Sequence, residues 1–229
     1  YLNAMKTIVD LGCGTGNTLL PYYPNHTVVG IDLDEENIRI CKKSMPKGTW
    51  IVGDVTTVPL TSFTAPLHVI CTEVIEHIPH WKAVIQNTST LPSSTTLFLT
   101  TPHEKSERRL QSVHKSYWDE IGHHHYFSGE EIRTALTAAG WTDITIHKTN
   151  AALYFELKAL FLKKAPCIRH TFYKNPLPLP LRVFFQLFRK SLFQTRLKWF
   201  FPLWMITLPI SWILDYFWGA TIEIHAKKA

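Results

Sequence analysis

A chain of 229 residues can bury a sizeable hydrophobic core and is long enough for one α/β domain with an additional segment. Its four cysteines occur singly, without a CxxC pair, which argues against a disulfide framework or a cysteine-ligated zinc site and indicates reduced thiols in a cytosolic setting. The formal net charge of +6 is unevenly distributed: the segment from Leu157 to Leu214 has ten basic residues and no acidic one, whereas the remainder has 14 basic and 18 acidic residues.

Short apolar runs rich in Val, Ile or Thr recur along the first 149 residues, as is typical of buried strands. They predict strands at Thr7–Leu11, Thr27–Leu33, Thr49–Val52, Leu67–Thr72, Thr96–Thr101 and Thr142–His147. The stretches between them predict helices at Asn17–Tyr23, Asp34–Ser44, His80–Ser89 and Ser128–Ala139. Because strands alternate with helices, we expect an α/β fold with a doubly wound, mostly parallel sheet.

The composition changes after Asn150. Residues 151–164 have the pattern of an amphipathic helix, and residues 175–190 begin with three prolines and continue as a basic, apolar stretch. Residues 197–218 are nearly uncharged, and Thr221–Ala226 alternates as a strand does. We therefore expect three parts: a core at 1–150, a helical hydrophobic and basic insertion at 151–218, and the final strand of the core at 219–229.

Three glycines at alternate positions, Gly12, Gly14 and Gly16, directly follow the first predicted strand. Glycine is needed where φ is positive or where a backbone closely approaches another group, so the pattern predicts a tight turn that receives a ligand. Asp32 closes the second strand, where it is placed to accept from two ribose hydroxyls, and Asp54 ends the third, where it can accept from an adenine amino group. Together these residues predict a nucleoside ligand.

The motifs VDLGCGTGN, VVGIDLDEENI, GDV and CTEVIEHIP together resemble the class I S-adenosylmethionine-dependent methyltransferases, and most closely those of the ubiquinone-biosynthesis O-methyltransferase type. The resemblance extends from Lys6 to about Lys148 and implies a seven-stranded Rossmann-like methyltransferase sheet with S-adenosyl-L-methionine as the cofactor. It also implies cofactor-binding residues: the methionine moiety beside Asp10, Gly12, Gly14 and Gly16, the ribose at Asp32, and the adenine at Asp54 and Val55.

Asp34 is a second candidate for the ribose, but we favour its interpretation as a helix N-cap. The dinucleotide fingerprint GxGxxG is not met, because position 17 is Asn, which argues against NAD.

A second group of candidate residues, Glu73, Glu76 and His77, follows the fourth predicted strand. Two carboxylates and an imidazole suit a divalent cation such as Mg²⁺, Mn²⁺ or Zn²⁺. The same pattern resembles a metal-binding set in ubiquinone-type O-methyltransferases and in small-RNA 3′-terminal 2′-O-methyltransferases, and this resemblance implies a further ligand downstream, best matched by His125 in the run 123–125. Alternatively, Glu76 and His77 only cap the next segment and the histidines line the entrance to the substrate site.

The acceptor proton requires an acid–base residue, for which we name His77, His125 and Glu73 as catalytic candidates. The stretch Thr100–Glu104 is interpreted as a loop after the fifth strand, which either lines the substrate side or only connects two elements.

The insertion raises the question of membrane attachment. Trp199–Leu214 contains sixteen uncharged residues, which is short for a transmembrane helix, and Pro202 and Pro209 interrupt it. A single span would also place the last strand on the opposite side of the bilayer from the core. The sequence therefore favours peripheral or monotopic attachment to an anionic membrane surface, and the alternative is a hydrophobic lid on the substrate pocket.

No charged and apolar leader opens the sequence, so we expect a cytoplasmic protein at the membrane, and we also expect that an N-terminal portion before Tyr1 is missing. The predicted function is methyl transfer to oxygen on a lipophilic small molecule or lipid-linked acceptor. Two alternatives stay open: a metal-assisted RNA 3′-terminal 2′-O-methyltransferase, and a non-catalytic membrane-binding module on the same scaffold. Nucleic acid is the less expected partner, because the basic residues are interleaved with Leu, Phe and Trp.

Overall fold

A computed structural model describes residues 5–64, 67–113, 121–151 and 219–229 of the chain. Within these residues one sheet contains the strands β1 (Thr7–Leu11), β2 (Thr27–Asp32), β3 (Thr49–Val52), β4 (Leu67–Thr72), β5 (Thr96–Pro102), β6 (Trp141–Ala151) and β7 (Gly219–Lys228). The order across the sheet is β3-β2-β1-β4-β5-β7-β6. Strands β1 to β5 pair in parallel, and β7 pairs antiparallel with β5 and β6. The expected mostly parallel α/β sheet, including its last strand, is confirmed.

Four α-helices lie within the described residues: α1 (Glu35–Ser44), α2 (Lys82–Asn87), α3 (Glu104–Val113) and α4 (Gly129–Ala138). Short 3₁₀ turns occur at Ile75–His77 and Thr88–Thr90. The Ser128 hydroxyl accepts a hydrogen bond from the Glu131 amide at 3.2 Å and so caps the start of α4.

One predicted helix is not formed, and one observed helix was not predicted. Residues 17–23 form a succession of turns, because Pro21 has no amide to donate to a helical ladder. Conversely, α3 was not predicted: the expected loop at Thr100–Glu104 includes only its first residue, because β5 extends to Pro102. This helix contains only two apolar residues, Leu110 and Val113, so it lacks the apolar stripe by which helices were recognised.

A tryptophan lies across the sheet beneath the loop that follows β1. The Trp50 ring is so close to Gly30 of β2 that a Cβ there would lie 2.4 Å from the ring, and its indole Nε1 donates to the Met45 carbonyl at 3.0 Å. Trp50 and Met45 are both buried, and they hold β2, β3 and the end of α1 together at this point. The loop after β1 therefore rests on a rigid, close-packed support.

The predicted insertion and its amphipathic helix fall on residues outside those that the structure describes, except for Ala151 at the end of β6. The division into a core, an insertion and a final strand thus stays a prediction. No helix in the described part of the chain combines the length and the apolar character that a membrane span requires.

Candidate active site

The loop after β1 has the backbone conformation that its glycines predict. Gly12, Gly14 and Gly16 have φ values of +76°, +50° and +80°. The amides of Gly12 and Cys13 donate to the Ile31 carbonyl at 2.8 and 3.0 Å, which ties the loop to β2. A Cβ at Gly12 would lie 2.5 Å from Val74, whereas one at Gly14 would meet nothing within 4 Å. The loop is therefore packed at Gly12 and open at Gly14, where a ligand can approach the backbone.

Asp32, at the end of β2, organises this loop with its carboxylate. Its Oδ2 accepts from the Gly14 amide at 2.7 Å, and its Oδ1 accepts from the Asp34 amide at 2.9 Å and from Asn37 Nδ2 at 3.2 Å. Asp34 has a different task, since its own Oδ1 accepts from the Glu36 amide at 2.8 Å and caps α1. The N-cap interpretation of Asp34 is confirmed, and Asp32 retains acceptor capacity at Oδ2 for a further hydroxyl.

Asp10 is a buried acid within β1. It is 1% exposed, and neither of its carboxylate oxygens has a hydrogen-bond partner. Burial, together with the nearby carboxylate of Asp32, raises the pKa of Asp10 to about 7. An ionised carboxylate without a partner is costly in such a place, so Asp10 is suited to pair with a cationic group of a ligand.

Asp54 lies beyond the end of β3, as predicted, but its carboxylate is partly engaged. Oδ1 accepts from both the amide and the hydroxyl of Thr56, at 2.8 and 2.7 Å, and these bonds lower the pKa of Asp54. The neighbouring Val55 buries its side chain in the core, and its carbonyl accepts from Asn87 Nδ2 at 3.0 Å. Asn87, which the sequence did not single out, thereby fixes the backbone at Val55.

A carboxylate–histidine cluster, defined here as Glu76, His77 and His123, lies beyond the end of β4. One possible ligand atom from each of the three lies within 4.8 Å of the other two, so the group could hold a metal ion. The two imidazole rings meet edge to face with centroids 4.8 Å apart, and His77 Nδ1 is 3.4 Å from the Gly122 carbonyl. Partial burial and the proximity of His123 lower the pKa of His77.

Glu76 is the buried member of the cluster, with 1% of its surface exposed. Its Oε2 accepts from the Thr101 hydroxyl at 3.1 Å, whereas its Oε1 has no hydrogen-bond partner. Burial and the nearby Glu73 raise the pKa of Glu76 to about 8. Like Asp10, Glu76 is therefore suited to bind a proton or a cation, because either would neutralise a buried charge.

Only two of the four residues in the metal set implied by the resemblance come together in the structure. Glu76 and His77 come together, but Glu73 and His125 lie outside the cluster that the structure forms, and His123 takes the place of His125. Glu73 is exposed, and its Oε1 accepts from the Thr100 hydroxyl at 2.9 Å.

His125 is held elsewhere by its own contacts. Its Nε2 is 3.4 Å from Glu131 Oε1, and its ring lies against Phe127 and Trp81, with centroids 5.2 and 5.9 Å away. These contacts keep its imidazole beside α4 and the aromatic core. An acid–base role for His125 stays a prediction.

Glu107 of α3 is the site residue that the sequence reasoning missed. Its Oε2 lies 2.6 Å from His123 Nδ1, and the two side chains are only 6% and 9% exposed. Because residues 104–113 contain only two apolar residues, the helix that carries Glu107 was not predicted. The available signal was the spacing of Glu104 and Glu107, which places two acids in the first turn of a helix directly after a strand.

Comparison with known proteins identifies a family that the chain matches. Residues 1–146 match the family model of the methyltransferase domain. A trans-aconitate 2-methyltransferase of Azoarcus sp. (strain BH72) is 37% identical over 57 residues, which make up 24% of this chain and 22% of that protein. The chain thus matches about a fifth of the length of this curated relative.

Solved structures share the fold. A SAM-dependent methyltransferase from Archaeoglobus fulgidus aligns over 100% of this chain and 88% of its own, with a TM-score of 0.58 and 18% identity. Phosphoethanolamine N-methyltransferase 2 of Haemonchus contortus, in complex with S-adenosyl-L-methionine, aligns over 98% of this chain and 49% of its own, with a TM-score of 0.56 and 16% identity. At these identities the likeness concerns the fold alone.

The buried Asp10 should make stability depend on pH in the ligand-free protein. Its pKa is about 7 in the folded chain against an ordinary 3.8, so between about pH 5 and pH 7 the folded state keeps a proton that the unfolded state has released. The free energy of unfolding should therefore fall as the pH rises, and Asp10→Asn should remove about 1.4 kcal/mol per pH unit from that slope. Urea denaturation at several pH values measures the slope. Equal slopes for the variant and the native chain would contradict this assignment.

Proposed function

Since the chain belongs to the methyltransferase domain family and is a class I S-adenosylmethionine-dependent methyltransferase, we propose that it methylates an oxygen of a lipophilic small molecule or lipid-linked acceptor at a membrane surface. The observation that carries the proposal is topological. Ala151 of β6 pairs with Gly219 of β7, and Thr221 of β7 pairs with Pro102 at the end of β5. Both ends of the predicted insertion therefore lie at the same edge of the sheet as the glycine loop.

The residues of this edge fit the cofactor by their chemistry. The open side at Gly14 admits a ligand to the backbone, Asp32 Oδ2 can accept from a ribose hydroxyl, and the unpartnered carboxylate of Asp10 can pair with the ammonium of the methionine moiety. Asp54 and the backbone of Val55 are the proposed contacts of the adenine. When bound, S-adenosylmethionine supplies an electrophilic methyl group.

The chain's part in the reaction is to orient the acceptor and take its proton. A hydroxyl held near the ends of β4 and β5 would lie close to His77 and Glu73, both of which are exposed at this edge. Glu73, whose carboxylate is held in place by the Thr100 hydroxyl, can accept the hydroxyl proton with or without a bound cation, whereas His77 can do so only while it binds no ion. A divalent cation in the carboxylate–histidine cluster is the finer part of this proposal, and it would polarise the acceptor oxygen.

Membrane attachment would orient the site. The segment 152–218 leaves and rejoins the sheet at its carboxyl edge, and it contains ten basic residues interleaved with aromatic ones. A bilayer bound through this segment would lie next to the edge where the acceptor is methylated. A lipophilic acceptor could then enter from the bilayer without crossing bulk water.

A second candidate function is 2′-O-methylation of an RNA 3′ end. The assembly of Glu76, His77 and His123 favours it, because a cation there could bind the vicinal hydroxyls of a terminal ribose.

An acceptor assay distinguishes the two functions. With radiolabelled S-adenosylmethionine, we expect the label to enter the organic phase of a lipid extract. Hydriodic acid, which cleaves O-methyl ethers, should release it as methyl iodide, whereas alkaline hydrolysis, which would release it from a methyl ester, should not. Synthetic RNA should gain neither label nor periodate resistance at its 3′ end. Labelled RNA together with unlabelled lipid would contradict the lipid acceptor and support RNA methylation.

Replacement of Asp32 should weaken cofactor binding far more than replacement of Asp34. Asp32→Ala removes a charge-assisted contact to the ribose and the acceptor of the Gly14 amide, so the affinity for S-adenosylhomocysteine should fall by about 2–3 kcal/mol, or roughly 30–150-fold. Asp34→Ala removes only the N-cap of α1 and is the matched control, with a loss of about 1 kcal/mol in stability and little in affinity. Calorimetric titration measures both. Unchanged affinity in Asp32→Ala would remove Asp32 from the site.

Basic residues of the insertion should account for binding to anionic vesicles. Near a bilayer surface each contributes about 1 kcal/mol, so a triple variant with Arg189, Lys190 and Arg196 changed to Gln should bind roughly 100-fold more weakly. The matched control changes Lys42, Lys43 and Lys47, which are exposed in the core, to Gln and should bind as the native chain does. Co-sedimentation with phosphatidylglycerol vesicles measures the difference. Equal loss in both variants would point to net charge, and no sedimentation of the native chain would exclude the membrane surface.

A further inference from the structure

We infer that Asn87, at the end of α2, is a positioning residue for the base of the cofactor and makes the site selective for adenine. It does so by holding residues 54–58, called here the β3 turn, which follow β3 and include Asp54 and Val55. The inference deepens the proposed function and rests on its placement of the adenine at Asp54 and the Val55 backbone. It does not depend on the acceptor, so ligand binding tests it without methyl transfer.

Asn87 contacts the β3 turn with the two N–H groups of its side-chain amide. Its Nδ2 atom donates to the Val55 carbonyl at 3.0 Å and to the Val58 carbonyl at 2.9 Å. One amide that bridges two carbonyls fixes the turn at two points relative to α2. Because α2 is itself anchored in the core by its buried Val84 and Ile85, this contact joins the turn to a rigid part of the molecule.

Further hydrogen bonds shape the β3 turn from within. The Asp54 carbonyl accepts from the Thr57 and Val58 amides at 3.0 and 2.8 Å. The Asp54 Oδ1 atom accepts from the amide and the hydroxyl of Thr56 at 2.8 and 2.7 Å. These bonds join residues of the turn to one another, whereas Asn87 orients the turn against the helix next to it.

A single peptide group links Asn87 to the Asp54 carboxylate. The carbonyl of Val55 and the amide of Thr56 belong to the same planar peptide. Its oxygen accepts from Asn87 Nδ2, and its N–H donates to Asp54 Oδ1 at 2.8 Å. Because the group is rigid, the bond that holds its oxygen also fixes the direction of its N–H, and with it the orientation of the carboxylate. The Oδ2 atom of Asp54 is then held as an acceptor for a ligand.

An oriented carboxylate distinguishes adenine from hypoxanthine. The two bonds from Thr56 lower the pKa of Asp54, so the carboxylate is ionised at neutral pH and can only accept. Adenine carries an amino group that donates and, beside it, a ring nitrogen that accepts, whereas hypoxanthine carries a carbonyl oxygen and a protonated ring nitrogen at these positions. The Asp54 carboxylate and the Val55 amide therefore match adenine at both positions and hypoxanthine at neither. A polar site of this kind rejects the unmatched analogue as long as its groups are held in place.

The test is calorimetric titration of the full chain with S-adenosylhomocysteine and with S-inosylhomocysteine, which differs only in carrying hypoxanthine. We expect the native chain to prefer S-adenosylhomocysteine by roughly 10–150-fold, as one hydrogen bond to a charged group provides. Asn87→Ala should lower this preference by about 5–10-fold, mainly through weaker binding of S-adenosylhomocysteine. Gln86→Ala is the matched control, because Gln86 is the exposed neighbour on α2 and its amide donates to Ser89 at 3.4 Å. This control should keep the native preference.

The ratio of the two affinities separates positioning from a merely structural role, because a loss of stability alone leaves the ratio unchanged. A native ratio in Asn87→Ala overturns the inference, and so does an equal change in Gln86→Ala. Asn87→Ser keeps one donor and should give an intermediate ratio, and it decides the matter if Asn87→Ala does not fold.

The same titrations keep this inference apart from the proposed function. A native chain that binds the two ligands equally overturns the role of Asn87, while the acceptor assay, which uses neither ligand, can still succeed. A native preference that Asn87→Ala lowers supports the inference even if the acceptor assay labels no lipid.

Discussion

The hydrogen bond from the Gly14 amide to the Asp32 carboxylate is the contact on which the cofactor side of the molecule depends. It is short, at 2.7 Å, and it joins the loop after β1 to the end of β2. The same carboxylate also receives the Asp34 amide, so one side chain fixes the loop and the start of α1 together. Trp50 supports the arrangement from below, and no side chain larger than hydrogen fits at Gly30 without moving its ring. The glycine loop is thus fixed by several contacts, so a ligand bound there would cost little ordering of the backbone.

Carboxylates that lie close to one another dominate the electrostatics of this edge in the described part of the chain. Asp10 and Asp32 interact unfavourably, as do Glu73 and Glu76, and burial raises the pKa of Asp10 and of Glu76. Such an arrangement destabilises the ligand-free chain at neutral pH and stabilises whatever cation relieves it. A sulfonium cofactor with an ammonium group is one such cation, and a metal ion is another. Relief of this repulsion therefore adds to the binding free energy of a cation at this edge.

Much of the fold could be predicted from the sequence, because the strands are short apolar runs with clear ends. Strands β1, β3 and β4 have the predicted bounds, and β7 was recognised from its alternation alone. The polar helix α3 was missed, since only Leu110 and Val113 among its ten residues are apolar. That omission also concealed Glu107. His123 contacts Glu107, which lies 16 residues earlier on the helix that was not predicted, whereas His125 contacts Glu131 of α4, so spacing alone could not show which histidine joins the cluster.

The pairing of Ala151 with Gly219 has a consequence for how this chain can change over evolution. Residues 152–218 are joined to the sheet at two neighbouring points, so their number can vary without altering the register of β6 and β7. For a flexible connection each doubling of length costs only about 0.6 kcal/mol of closure entropy. Descendants of this chain could therefore exchange the whole segment for one of different size and composition, and acquire another acceptor, while the cofactor half of the molecule stayed the same.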